Sequence, residues 1–481
     1  MAETSTSRPS SALRRALAPL ALAQFICSFA GSNLSVMITD ISHDLHTSVH
    51  GVQVTITIFL LVMAALMIPC GKLTDRYGRK RCFTLGLILY GIGALLSAGA
   101  PGLGTLILGN SIFEAVGTAF LIPPVYILVT LLFTDMTSRA RAFGTVSALG
   151  GIGAATGPLL GGLIASAISW RAAFVFQALV IAAIVVLSRR VNDPLPAKPD
   201  MPFDIRGAVL SAVGLILLVT GILAADNNLW LMLGLIVAGA AVLAWFFWLV
   251  RADERAGRPA LLSTALFRNR TSNLGLITQN TQWLLLMGVS FVVSAYLQVV
   301  RGYNPIETGA IFTATTAGLL VSSLAAERLA KRHSQRSLII AGFVVAVTGV
   351  AALLALVAGT PHVWAFVPGL LLIGLGLGAM LTPSINVVQS SFPERLQGEI
   401  SGLSRSISNL GSSLGTAIAG TILVAGITKT PERSYGLAVA VLAVVACLGL
   451  VAALYLPRTP AEGTGGSAAA AATAVEEEPK H

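Results

Sequence analysis

Fourteen runs of mostly apolar residues, each about twenty long, divide this chain, and a helix of that length crosses the ~30 Å of hydrocarbon in a bilayer. They fall near 16–38, 51–71, 82–101, 104–133, 142–166, 171–188, 206–225, 230–250, 272–298, 306–326, 337–359, 362–389, 402–426 and 434–456. Composition agrees, with 55% of the 481 residues hydrophobic and 11% charged and a mean hydropathy of +0.82. An ordinary soluble protein is excluded, and the sequence predicts an all-α polytopic membrane protein. Arg8, Arg14 and Arg15 precede the first run as in a secretory signal. That run is long and lacks a convincing small-x-small cleavage site, so it is expected to stay as the first helix. Cys27, Cys70, Cys82 and Cys447 lie in or beside apolar runs without paired or metal-ligand spacing; neither a disulfide nor a metal site is expected.

The net charge of +10 reports orientation rather than a nucleic-acid partner, because the cations sit in short loops instead of on one patch. With a cytoplasmic N-terminus, all but four of the 31 Lys and Arg residues fall on the inner side, in loops, tails or the inner ends of spans, leaving only Arg171, Arg301, Lys429 and Arg433 outside. So lopsided a split predicts a multi-pass protein of the cell membrane with both termini cytoplasmic. The chain also repeats itself weakly. Leu121-Ile122-Pro123-Pro124 in span 4 and Gly157 to Gly162 in span 5 have counterparts in Leu381-Thr382-Pro383-Ser384 and Gly415 to Gly420, each about 260 residues downstream. Two six-helix halves related by an axis along the membrane normal fit these offsets if spans 7 and 8 are inserted between them. The expected organisation is a cytoplasmic tail at 1–15, a first half at 16–188, a linker with two extra helices at 189–250, a cytoplasmic loop at 251–271, a second half at 272–457 and a disordered Ala-, Gly- and Glu-rich tail at 458–481.

Between spans 2 and 3 stands Gly71-Lys72-Leu73-Thr74-Asp75-Arg76-Tyr77-Gly78-Arg79-Lys80-Arg81, read as a short cytoplasmic hinge. The glycines permit a tight turn or close backbone approach, and Asp75 can pair with Arg79, or with Arg139 or Arg141 after span 4. This spacing strongly resembles motif A of the major facilitator superfamily, carried by Gly71, Asp75, Arg76, Gly78 and Arg79. Arg328 to Arg332 looks like a degraded copy with Lys331 in place of the acid. The resemblance implies that Asp75 is a conformational latch between halves rather than a substrate ligand. In span 5, Gly153, Gly157 and Gly161 recur every four residues and form a smooth face for another helix, while Pro158 permits a bend. With Gly162 they resemble motif C, which implies an antiporter. The 6+2+6 plan resembles the fourteen-helix drug:proton antiporter branch of the superfamily over residues 15 to 457, and implies the major facilitator fold.

Glu114 in span 4 is the one carboxylate deep inside any span, roughly 17 Å from its outer end. A charge there is costly unless it faces a cavity or finds a partner, which makes Glu114 the leading proton carrier or, alternatively, a protonated residue that holds helices together. Asn110 and Thr118 lie one turn to either side and share its face. Motif B of the family would place an arginine at Ser111, a glutamine at Glu114 and a glycine at Ala115; only Gly117 and Pro123 survive. Asp40, near the outer end of span 1, is a second candidate for protonation. The resemblance implies that spans 1, 4, 9 and 12 line a central cavity. Their polar residues are Gln24 and Asn33; Asn110; Gln279, Asn280, Gln282 and Trp283; and Asn386 and Gln389. Gln279, Gln282 and Trp283 put two amides and a ring on one face, suited to an amphipathic cation.

The chain is thus expected to be a proton-coupled antiporter that exports lipophilic, cationic small molecules by alternating access, with substrate displacing a proton from Glu114. The alternative is a dedicated exporter of one endogenous amphipathic metabolite, antibiotic or lipid. A membrane-embedded enzyme or sensor is remote, since no Ser/His/Asp or metal cluster and no phosphate-cradling Gly-rich Lys motif is visible. The expected partners are the lipid bilayer, a small-molecule substrate and protons; no cofactor beyond the proton gradient and no nucleic acid is expected, and a monomer should suffice.

Overall fold

The computed structural model describes residues 11–457 except 134–135, 190, 192, 198, 201, 226–227, 331, 360–361 and 394–395. The tail expected at 458–481 and Lys331 of the motif A copy lie outside the described residues. In chain order the helices are α1 (Ala16–Asp44), α2 (Val49–Tyr77), α3 (Arg79–Ala98) and α4 (Leu103–Leu132), then α5 (Met136–Ala167). They continue with α6 (Trp170–Ser188), α7 (Ile205–Leu223), α8 (Leu229–Arg255), α9 (Arg270–Val300) and α10 (Pro305–Ala326). The last four are α11 (Gln335–Leu356), α12 (Phe366–Gln389), α13 (Gly398–Gly426) and α14 (Pro431–Leu454). Among the described residues thirteen are long and apolar enough to cross a membrane, and α5 makes a fourteenth when its two segments, bent by 43° between Ala154 and Thr156, are read as one span. The bend has a covalent cause: Pro158 has no N–H to offer the carbonyl four residues back, that of Ala154. An even number of crossings puts both described ends on one side of the bundle, the terminal face.

Several helices outrun their apolar cores because polar residues cap them. Ser48, Ser169, Asp204, Asn228 and Asn269 accept from the first-turn amides of α2, α6, α7, α8 and α9. The hinge expected at Gly71 to Arg81 is a correction: α2 runs on to Tyr77 and α3 starts at Arg79, so only Gly78 lies between them. Its φ of +97° is a conformation that other residues rarely adopt. Three spans also change pitch. α1 tightens at Leu34–Met37, α4 widens into a π-helical stretch at Ile107–Glu114, and α9 ends in one at Tyr296–Val300.

Helices α1 to α6 pack on one another, as do α9 to α14, and the two groups meet along α2 against α13 and α5 against α10. The repeat shows in how they meet. A side chain at Gly153 of α5 would collide with the Phe25 carbonyl of α1, and one at Gly411 of α13 would collide with the Asn280 carbonyl of α9. Gly162 abuts Pro305 of α10 across the groups, and its counterpart Gly420 abuts Gln53 of α2. The inserted pair has a definite place. α7 and α8 pack together and α7 lies over the α2/α13 seam, where Val219 and Leu223 are buried with Leu61 and Ala417.

Candidate functional site

Glu114 closes the π-helical stretch of α4 and is fully buried. Its carboxylate accepts from Ser97 of α3 at 3.3 Å and from Asn110 at 3.3 Å. It does not look into the space between the halves. It points into the first half, toward α3, which comes so near that a methyl group on Gly93 would stand 2.8 Å from the Glu114 Cγ. Cys27 of α1 and Tyr90 of α3 lie close to the acid. Tyr90 in turn donates to Gln177 of α6 at 2.5 Å and to the Ile26 carbonyl at 3.4 Å. Thr118 is buried beside the Cys27 thiol. Ser111, standing where motif B has arginine, donates to the Thr55 carbonyl at 2.7 Å and ties α4 to α2. Direct displacement of a proton by a substrate in the cleft does not fit this geometry.

The other expected residues divide among helix contacts and open positions. Gln24 bonds Ser28 at 3.1 Å and lies under Gly150 of α5. Asn33 is fully buried against Gly161, and both its amide atoms lack partners. Gln279 accepts from Ser404 of α13 at 2.9 Å, whereas Gln282 donates to the Leu377 carbonyl of α12 at 3.0 Å. The shared face expected for these two amides is therefore not formed, because each is drawn to a different neighbouring helix. Asn280 donates to the Ile407 carbonyl at 2.9 Å and Gln389 to Ser401 at 3.3 Å. Trp283 is half-buried, Asn386 is exposed, and Asp40 is half-buried in the turn at the far end of α1.

Asp75 pairs with Arg79 at 2.9 Å, one turn on and within the same half. Arg139 is engaged instead with the Phe133 carbonyl. Asp193 caps α3 through the Arg79 amide at 2.7 Å. The ion pair that does cross the halves was not foreseen. Lys72 reaches Glu399 of α13 at 3.1 Å and the Ala260 carbonyl at 3.0 Å, and Glu399 also accepts from the Ser263 amide at 3.0 Å. The segment after α8 is thus strapped to both halves, with Leu261, Leu262 and Leu266 buried among α8, α9, α12 and α13. Also unforeseen is Arg405 of α13, which donates to the Tyr126 hydroxyl of α4. A lone cation inside span 13 was the available signal.

Further contacts seal the seam. Gln53 donates to the carbonyls of Thr416 and Ala417 and to Thr421, at 3.1 to 3.2 Å. Ser413 donates to the Thr57 carbonyl at 3.1 Å and Ser406 to that of Ala64 at 2.5 Å. At the far face, Gln298 of α9 donates to the Ser35 carbonyl at 3.0 Å and accepts from the Thr39 amide at 3.2 Å. The Ile306 amide meets Ser166 at 3.1 Å. Toward the terminal face α5 is open: Gly144 and Gly151 have nothing within 4 Å of a would-be side chain, and Ser147 and Ala148 are exposed. The far face is thus sealed between the halves, while toward the terminal face α5 has open positions beside contacts that still join the halves, Lys72 to Glu399 and Arg405 to Tyr126.

The family model for the Major Facilitator Superfamily matches residues 20–269 and 274–478. The chain belongs to the major facilitator superfamily. Membership makes it a membrane transporter and not an enzyme. The puromycin resistance protein pur8 of Streptomyces alboniger is 29% identical over 406 residues, 83% of this chain and 80% of that protein. The multidrug efflux pump LfrA of Mycolicibacterium smegmatis is 28% identical over 429 residues, 88% and 83% of the two chains. The tetracenomycin C resistance and export protein of Streptomyces glaucescens is 28% identical over 391 residues, 80% and 71%. Among solved structures, the peptide transporter POT superposes with a TM-score of 0.68 at 17% identity, over 92% of this chain and 95% of that one. It shares the major facilitator fold.

Proposed function

We propose that this transporter exports lipophilic, cationic small molecules in exchange for protons, with the terminal face in the cytoplasm and Glu114 as the proton carrier. One observation carries the coupling: a fully buried carboxylate in the middle of a membrane-length helix, held among the described residues by two hydrogen bonds of 3.3 Å. The drug-efflux and antibiotic-resistance relatives support the direction and the substrate class. Because Glu114 faces α3 instead of the cleft, proton and substrate act on separate sites. A charge appearing among α1, α3 and α4 disfavours the packing that suits the neutral acid, and the two occupancies communicate only through the equilibrium between the two states. Asp40 at the far end of α1 is placed to receive protons from outside, and Asp75 with Arg79 stiffens the terminal end of the first half. The tetracenomycin C resistance and export protein of Streptomyces glaucescens, with the probable actinorhodin transporter of Streptomyces coelicolor, favours as the second reading a pump dedicated to one self-made compound.

The test is ethidium uptake into inside-out vesicles with an acid interior, wild type beside Glu114→Gln. Gradient-driven uptake that disappears in the variant, with folded protein retained in the membrane, is the expected result. Wild-type uptake indifferent to the gradient, or full pH-dependent uptake by the variant, would sink the coupling scheme.

A further inference from the structure

We infer that the ring face of Tyr126, backed by Phe143, is a binding site for planar organic cations near the terminal end of the cleft, and that Arg405 is a tethered occupant of it. The inference rests on the export reading above and adds where a cation is held.

Tyr126 of α4 and Phe143 of α5 stack with ring centroids 6.0 Å apart and planes 21° from parallel. The Arg405 guanidinium carbon lies 4.8 Å from the centre of the Tyr126 ring, and the same guanidinium donates to the tyrosine hydroxyl. Both rings belong to the first half and the arginine to the second, so this contact breaks when the halves part. Arg405 stands about two turns inside the start of α13, roughly 10 Å along its axis. Among the described residues its charge is matched by no carboxylate. A ring face and a phenolic oxygen do that work instead. Such a surface discriminates little between a guanidinium and any other flat, delocalised, weakly hydrated cation of similar width.

As α13 moves away from α4, the arginine leaves with it and the ring face is uncovered toward the open stretch around Gly144 and Ser147. A substrate cation then takes the place the guanidinium held, and the halves close at this end once it has passed deeper into the cleft and the arginine has returned to the ring. Occupancy of one small site is thereby coupled to the conformational state, since arginine and substrate compete for the same ring.

Ethidium, a planar cation, and riboflavin, a planar uncharged molecule, serve as fluorescent probes of the full-length protein in lipid nanodiscs. Arg405→Ala is expected to tighten ethidium binding about three- to tenfold, the worth of one cation–π contact no longer contested. Tyr126→Leu should weaken it by a similar factor, Tyr126→Phe should bind at least as well as wild type, and riboflavin should respond to none of them. Thermal unfolding identifies any variant that fails to fold, and Arg405→Lys, which keeps the charge but cannot stack flat, then replaces Arg405→Ala with a smaller gain expected. Ethidium affinity that is unchanged or weaker without Arg405, or riboflavin changing in parallel, overturns the site. Gradient-driven ethidium transport with the same KM in wild type and Tyr126→Leu overturns the site alone; no transport or binding by wild type overturns both readings.

Discussion

Gly93 holds the key to Glu114. A methyl group there would lie 2.6 Å from the Gly109 carbonyl oxygen and 2.7 Å from the Glu114 amide nitrogen, both backbone atoms that cannot swing aside. Gly93→Ala therefore has to push α3 from α4, at an expected cost of ~1–3 kcal/mol. Ser97→Ala removes one hydrogen bond to the acid without crowding and should cost ~0.5–1.5 kcal/mol. Thermal unfolding of the two variants in detergent checks the order, and a Ser97→Ala protein less stable than Gly93→Ala would contradict it. The depth of Glu114 was legible by counting along an apolar run. Its direction was not, because the π-helical stretch Ile107–Glu114 turns the register just before the acid, and nothing in the apolar pattern of span 4 announces that change of pitch. The same limit explains the amides of α9: spacing put Gln279 and Gln282 on one side, but which neighbour each would bond depended on carbonyls of α12 and hydroxyls of α13 distant in sequence.

At the scale of a helix, α5 is the most constrained. Its glycines at 153, 157 and 161 face α1, and Gly162 with Pro158 faces α10. The spacing gave this away in the sequence; the partner on each side did not, because a smooth face records closeness without recording to what. The glycines are not equivalent. Gly153→Ala meets the fixed carbonyl of Phe25, whereas Gly157→Ala meets first the Ser32 hydroxyl, which can rotate. Gly153→Ala is expected to lower the melting temperature clearly more than Gly157→Ala, and equal losses would show that α1 and α5 adjust as rigid bodies. The number of spans was similarly open to counting, since each helix needs its own apolar run. The position of α7 was hidden, for its contacts with Leu61 and Ala417 are ordinary apolar ones.

Over the whole molecule, the contacts that join the two halves toward the terminal face include one ion pair and one apolar strap. Lys72 and Glu399 are each about a quarter exposed, so their pair is worth ~0.5–1 kcal/mol at most, enough to move a two-state population about two- to fivefold. Spin labels on the terminal ends of α2 and α13 should show a broader, longer distance distribution in Lys72→Ala than in wild type. An unchanged distribution would assign the closure to Leu261, Leu262 and Leu266 instead. Motif A was readable as a lock; that Lys72, and not Asp75, reaches the other half followed only from α2 continuing as a helix to Tyr77.

The position of α7 over the α2/α13 seam makes the transporter lopsided. One flank of the cleft has a bound spine, stitched by Gln53, Ser406 and Ser413 and covered by an additional helix. Among the described residues, the flank between α5 and α10 has no comparable helix packed over it. The two extra helices thus break the near-symmetry of the halves, thickening one of the two seams and leaving the other at the width the halves alone give it.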